Sequence, residues 1–89
     1  MAGTMMTMTD PQIIVAELCE MLQRYNTEKL QLSADTNLAS DLNIDSVEVM
    51  DLVMEIEDKY NIDIPINLLT EVERVRDLAK IVTDRMEEK

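Results

Sequence analysis

The residue best placed to take part in chemistry is Ser46, which follows Asp45 and precedes a long amphipathic segment. A serine hydroxyl can attack a substrate when a base activates it, or it can accept a group that another enzyme transfers. The chain has no histidine, the commonest general base in proteins, and no glycine-rich phosphate loop. The sequence therefore predicts that the protein is not itself an enzyme, and it leaves open that another enzyme transfers a group to Ser46.

A purely structural role for the Asp45-Ser46 pair is the alternative, because both residue types are favoured at helix starts for capping reasons alone. Asp45 and Glu48, three residues apart, resemble a capping box in which Asp replaces Ser or Thr. If Asp45 caps the helix, the Ser46 hydroxyl is left available for attachment.

The segment from Ser46 to Tyr60 is predicted to be a helix with two apolar rows. The row expected to be buried consists of Val49, Leu52, Val53, Ile56 and Tyr60. The second, narrower row consists of Val47, Met50 and Met54, flanked by Glu48, Asp51, Glu55, Glu57 and Asp58. Met residues adapt to several partners, so this second row suits a recognition surface.

Three further helices must position that segment. Asp10 as N-cap and Pro11 at the first helical position predict a helix that runs to about Tyr25. A short helix is expected over residues 66–72, and a last helix over Val75–Met86 with its final residues frayed. We expect residues 1–8 to be a disordered tail and residues 9–89 to form a single domain.

The connection over residues 28–44 is long for so small a protein. Its leucines can anchor it to the bundle, and a helical turn is possible over residues 35–38. Asn43 is expected to adopt a left-handed conformation, which Asn tolerates better than other non-glycine residues. Residues 62–65 should be extended, because the residue before a proline avoids helical angles.

Composition limits the classes of function. The 89 residues include 19 acidic and 8 basic side chains, which gives a net charge of −11. Nucleic acid is therefore an unfavourable partner, and basic protein surfaces are favourable ones. The lone cysteine, Cys19, allows no internal disulfide and no zinc cluster.

Without Trp or Phe, the chain is predicted to be an all-α, small four-helix bundle with three main helices, one short helix and a long first loop.

Location follows from what the sequence lacks. There is no apolar run of membrane-spanning length and no signal-peptide pattern. These features predict a cytoplasmic protein that does not insert into membranes. We also expect the protein to be a monomer.

Several stretches resemble the acyl carrier protein family, whose members carry acyl chains as thioesters on 4′-phosphopantetheine. Asp35–Val47 reads D-T-N-L-A-S-D-L-N-I-D-S-V, and the acidic helix, I-D-I-P at Ile62–Pro65 and V-R-D-L at Val75–Leu78 follow in the family's order and spacing. The resemblance covers about half of the chain and implies an acyl-carrier-like fold. Carried over, Ser46 is the covalent attachment residue for 4′-phosphopantetheine, with Asp45 beside it.

The resemblance also implies partners and cargo. A phosphopantetheinyl transferase would modify the protein, and acyl-processing enzymes of fatty-acid, lipid or polyketide biosynthesis would meet it through basic docking patches. The partner-binding residues would be Val47, Glu48, Met50, Asp51, Met54, Glu57 and Asp58. The acyl-pocket residues would be Val53, Ile56, Leu69, Val72 and Val75.

Some residues depart from the family's pattern. Val47 replaces the usual Leu, Asn43 replaces the usual Gly, and Leu69 stands where a smaller residue is common. Arg74 and Arg76 put two positive charges beside the expected acyl region. These departures favour a specialised, free-standing carrier over the general carrier of fatty-acid synthesis.

Three other functions stay open at the level of sequence. The chain could be a free-standing amino-acyl carrier, for example of D-alanyl groups, or an acidic helical adaptor that carries nothing. Asp41, Asn43 and Asp45 have the D-x-N-x-D spacing of a calcium-binding loop. However, Ser46 and Leu52 occupy the positions where that loop needs Gly and Glu, so no metal site is predicted.

Overall fold

The computed structural model describes residues 10–87, which form α1 (Pro11–Leu22), α2 (Ser46–Tyr60), α3 (Ile66–Leu69) and α4 (Val75–Glu87). Within those residues there is no β-strand, and the predicted all-α class with one short helix and a long first loop is confirmed. The expected disordered tail at residues 1–8 and the final two residues of the chain lie outside the described residues. The single-domain boundary at 9–89 stays a prediction.

Local signals set where the first helix begins and ends. The Asp10 carboxylate accepts a hydrogen bond from the Gln12 N–H at 2.9 Å, and Pro11 occupies the first helical position, as predicted. A 3-10 turn at Gln23–Tyr25 continues α1 to the predicted end.

The core lies where α1, α2 and α4 meet. Its fully buried side chains from α1 are Ile14, Leu18 and Leu22, and those from α4 include Val75, Leu78 and Val82. Leu52, Val53 and Ile56 of α2 are also buried, whereas Val49 and Tyr60 at the two ends of the predicted row are half-buried. Burying each large aliphatic side chain contributes about 1.5–3 kcal/mol before entropy is counted. These contacts therefore fix the rotation of α2.

Two polar contacts join α1 to α2. The Tyr60 hydroxyl donates a hydrogen bond to the Glu17 carboxylate, and Arg24 pairs with Glu55 at 2.6 Å. Burial and the hydrogen bond to Glu17 raise the pKa of Tyr60, so this hydroxyl stays a donor at neutral pH. The Arg24–Glu55 pair is exposed and contributes little to stability.

The long loop is held by backbone pairing with the chain just before and at the start of α4. Asn37 and Arg74 form an isolated antiparallel bridge. Beside it, the Leu38 N–H donates to the Glu73 carbonyl at 2.9 Å, and the Val75 N–H donates to the Thr36 carbonyl at 3.0 Å. The loop also adopts the predicted left-handed conformation at Asn43, where φ is 58°.

This pairing corrects two expectations. The helical turn expected at residues 35–38 does not form. Instead, the backbone groups of Thr36 and Leu38 pair with those of Val75 and Glu73, respectively. The short helix predicted over residues 66–72 ends at Leu69, since the chain must become extended before Glu73 can pair with Leu38.

Asp77 fixes the corner that leads into α4. Its carboxylate accepts hydrogen bonds from the backbone N–H groups of Arg74 at 2.9 Å and Glu73 at 3.0 Å. These two bonds lower the pKa of Asp77 below its ordinary value. The stabilisation is therefore complete above the unfolded-state pKa of about 3.9 and is lost as the pH falls through the lower folded-state pKa.

We expect Asp77→Ala to lower the free energy of unfolding by about 0.5–2 kcal/mol at neutral pH, the usual effect of losing such a cap. The difference from the natural protein should shrink as the solution is acidified, because the natural carboxylate then loses its charge. Urea unfolding over a pH series measures both effects. Asp84→Ala is the control, since Asp84 forms only an exposed pair with Lys80 at 3.4 Å. Equal losses in the two variants, or a pH-independent loss, would contradict this role.

Candidate functional site

Ser46 is the first residue of α2, and its side chain is exposed. The hydroxyl makes no hydrogen bond within residues 10–87. It is therefore free to react without any loss of a structural contact in that part of the chain.

Asp45 performs the capping that Ser46 could have performed. Its carboxylate accepts a hydrogen bond from the Glu48 N–H at 2.8 Å, and the Glu48 carboxylate accepts one from the Asp45 N–H at 3.1 Å. The predicted capping box is thus confirmed. Asp45 lies beside Ser46 as predicted, but its carboxylate points to the helix it caps.

The loop before Ser46 is rigidly organised. The Ile44 side chain is buried, and its N–H donates to the Leu38 carbonyl at 3.1 Å. The Asn37 side-chain oxygen accepts the N–H groups of Ala39 and Ser40 at 3.0 and 2.9 Å. These bonds set the position from which α2 begins, so they also set the position of the serine.

Two of the three residues with the calcium-loop spacing, Asp41 and Asp45, use their carboxylates in hydrogen bonds within the protein. The Asp41 carboxylate accepts the Asn37 N–H at 2.8 Å, while Asp45 caps α2. Within the described residues, no group of three or more His, Cys, Asp or Glu side chains could hold a metal ion.

An apolar cavity of about 620 Å³, half-open to solvent, begins at Ser46 and runs between α2, α3 and the long loop. Its apolar lining consists of Leu38, Ala39, Ile44, Val49, Met50, Ile66, Leu69 and Val72. Its polar lining consists of Asn37, Ser46, Thr70 and Glu73. Cavities of this size and character commonly hold small apolar ligands.

The predicted acyl-pocket residues divide into two groups. Leu69 and Val72 line the cavity, whereas Val53, Ile56 and Val75 are buried in the core and do not line it. The packing of α1 and α4 against α2 turns Val53 and Ile56 inward.

Sequence reasoning missed other lining residues on both sides of the cavity. From α2 these are Val49 and Met50, three and four residues after Ser46, and from elsewhere Ile44 and Ile66. The spacing could have revealed the first two, because residues three and four apart share a helix face.

The two arginines that follow Glu73 in the sequence, Arg74 and Arg76, are both engaged by Asp35. Arg74 donates a hydrogen bond to the Asp35 carbonyl at 3.0 Å, and Arg76 pairs with the Asp35 carboxylate at 2.8 Å. Neither lines the cavity. The two positive charges expected beside the acyl region are therefore not part of the cavity lining, in which Glu73 is the charged residue.

The second apolar row of α2 is exposed, as predicted. Val47 and Met54 are 68% and 63% exposed, and Met50 lies partly exposed at the cavity's edge. Ile66 of α3 is 65% exposed and also lines the cavity. The exposed apolar surface therefore continues from α2 onto α3.

The acids expected to bind partners differ in their local roles. Glu48 belongs to the capping box, and the Glu57 carboxylate accepts the Ile64 N–H at 2.8 Å, which holds the link to α3. Asp51 and Asp58 are exposed and make no hydrogen bond or ion pair within residues 10–87. Their charges are the most available to a partner.

Among the helices within residues 10–87, none has both the length and the apolar character that crossing a membrane requires.

Comparison with known proteins identifies the class. Residues 12–82 match the family described as "Phosphopantetheine attachment site". The chain is 31% identical to an acyl carrier protein of Helicobacter pylori over 84% of this chain and 88% of the other. It is 33% identical to an acyl carrier protein of Rickettsia typhi over 81% of this chain and 85% of the other.

A solved structure agrees with these sequence matches. The crystal structure of an acyl carrier protein from Thermotoga maritima superimposes with a TM-score of 0.67 at 26% identity, covering 84% of this chain and 93% of the other. A probable acyl carrier protein of Caulobacter vibrioides is 36% identical over 62% of this chain, and the match spans 64% of that protein.

The chain therefore belongs to the acyl carrier protein family. It is a carrier protein and not an enzyme, and the prosthetic group of its family is 4′-phosphopantetheine. The predicted family, fold and cofactor are confirmed. Interaction with a phosphopantetheinyl transferase and with acyl-processing enzymes follows from membership in the family.

Proposed function

We propose that Ser46 is the attachment residue for 4′-phosphopantetheine and that the protein presents acyl chains to biosynthetic enzymes from this position. One observation carries the proposal: an exposed serine hydroxyl, spared from capping by Asp45, stands at the rim of an apolar cavity. When bound, the group supplies a terminal thiol that holds an acyl chain as a thioester. The residues present fit it, since the Ser46 hydroxyl can be modified without breaking a described contact.

Electrostatics at the start of α2 support attachment there. Free backbone N–H groups and the helix dipole stabilise an anion at a helix N-terminus, which suits a phosphodiester on Ser46. The carboxylates of Asp45 and Glu48 lie on either side of that position and repel a second anion. The expected result is an arm that projects from the protein.

The cavity supports an acyl cargo over an amino-acyl one. Leu69, Val72 and Met50 give it a largely apolar wall, and burying a methylene group in such a site is favourable by about 0.8 kcal/mol. An ammonium group could pair with Glu73 alone, and the apolar side chains that form most of the wall would offer it nothing. We place the carrier in fatty-acid, lipid or polyketide biosynthesis, and the large Leu69 favours a specialised pathway over general fatty-acid synthesis.

The exposed face of α2 supports docking by enzymes with basic patches. Val47 and Met54 offer apolar contacts, and Asp51 and Asp58 offer carboxylates that nothing else in residues 10–87 engages. Charge complementarity of this kind speeds association and weakens as salt is added. A cytoplasmic location and a monomeric state stay predictions from the sequence.

Incubation with coenzyme A and a broad-specificity phosphopantetheinyl transferase tests attachment. We expect intact-mass spectrometry to show one added phosphopantetheine group, and peptide mapping to place it on Ser46. Ser46→Ala should abolish the modification. Ser40→Ala is the matched control, because Ser40 is another exposed serine close to the site, and it should be modified normally. Label that survives Ser46→Ala would overturn the proposal.

The docking face is tested with a transferase that has a basic docking patch. Asp51→Asn combined with Asp58→Asn should raise KM by roughly three- to tenfold at low ionic strength, because two exposed carboxylates lose their attraction. The increase should shrink at high salt. Glu20→Gln combined with Glu28→Gln removes two exposed charges outside α2 and should leave KM unchanged. A KM that rises equally in both proteins would show that net charge, and not this face, determines docking.

A further inference from the structure

The cavity beside Ser46 has one charged residue in its lining, and that residue is acidic. Among the residues that line it, Glu73 carries the sole ionisable carboxylate and no basic residue is present. The other polar side chains are Asn37, Ser46 and Thr70, and the Thr70 hydroxyl donates to the Asn67 carbonyl at 2.9 Å. The character of this wall therefore depends on Glu73.

The position of Glu73 is fixed from both sides. Its N–H donates to the Asp77 carboxylate at 3.0 Å, and its carbonyl accepts the Leu38 N–H at 2.9 Å. The backbone is thus held against the long loop, whichever rotamer the side chain takes. The Glu73 side chain is exposed, and its fixed backbone keeps the carboxylate within one side chain's length of the cavity lining.

The Glu73 charge is also uncompensated in the described part of the chain. Its carboxylate makes no ion pair or hydrogen bond there. The adjacent Arg74 is directed to the Asp35 carbonyl and Arg76 to the Asp35 carboxylate. The two cations nearest in sequence are therefore engaged outside the cavity.

We propose that Glu73 is a specificity-determining residue that admits acyl chains with an uncharged end into the cavity and excludes chains that end in a carboxylate. The inference rests on the proposed function, since it concerns chains attached through Ser46. An anion brought to this wall is repelled by the Glu73 carboxylate, and the apolar side chains that form most of the lining cannot replace the hydration that the anion gives up.

Three chains with the same eight-carbon backbone, loaded on the arm at Ser46, separate charge from polarity. Octanoyl ends in a methyl group, suberoyl ends in a carboxylate, and suberoyl methyl ester has a polar but uncharged end. Entry into the cavity is read from the methyl NMR shifts of Ile44, Leu69 and Val72, which line it. In the natural protein, octanoyl and the ester should shift these methyl signals, and suberoyl should leave them near their unloaded positions.

Glu73→Gln should raise the inserted population of the suberoyl chain by roughly three- to tenfold, with little effect on octanoyl. Glu71→Gln is the matched control, because Glu71 is an exposed acid two residues away that does not line the cavity. It should leave the suberoyl signals unchanged. This pattern would support Glu73 as the determinant.

The proposal is overturned if suberoyl and its ester shift the methyl signals equally in the natural protein. It is also overturned if Glu71→Gln and Glu73→Gln have equal effects, since the net charge of the protein would then be responsible. Failure of the proposed function is a different result: Ser46 would take no arm, or no chain would shift the cavity methyl signals.

Discussion

The backbone N–H groups at the start of α2 have no acceptor within the helix, and the reciprocal bonds between Asp45 and Glu48 supply two of the needed contacts. The arrangement of the site depends on this capping box. It fixes the start of α2 one residue after Asp45, so that Ser46 occupies the first turn with an unused hydroxyl. Were Ser46 the cap, its oxygen would be committed to the backbone, and modification would cost the helix its start.

A second constraint operates at longer range. Backbone hydrogen bonds join the loop before the serine to the residues at the start of α4, and they pair Thr36 with Val75 and Leu38 with Glu73. The cavity lies between these paired segments and α2, and its other wall is α3, which has four residues and makes about one helical turn. The serine, the cavity and the charge of Glu73 are therefore positioned by one set of backbone bonds.

The sequence predicted the features that depend on neighbouring residues. The capping box, the left-handed Asn43 and the exposed row containing Met54 follow from local spacing, because caps, turns and helix faces are set within a few residues. The bridge between Asn37 and Arg74 joins segments far apart in the chain, and no local pattern signals it. For that reason α3 was predicted too long and a helical turn was expected at residues 35–38.

The cavity was predicted only in part for a related reason. Leu69 and Val72 were identified, but the rotation of α2 is decided by its packing on α1 and α4, which turns Val53 and Ile56 into the core. The absence of Arg74 from the cavity lining could not be anticipated either, since Arg74 is held by Asp35, which is far away in the sequence.

The central claim is that Asp45 caps α2 and that Ser46 does not. The free energies of unfolding of two variants, measured in urea, test it most directly. Asp45→Ala should lower this free energy by about 0.5–2 kcal/mol, the usual effect of losing an N-cap. Ser46→Ala should stay within about 0.5 kcal/mol of the natural protein, as exposed substitutions without lost contacts do. A loss in Ser46→Ala as large as that in Asp45→Ala would contradict the account, because the serine would then be part of the helix cap and not a residue free for attachment.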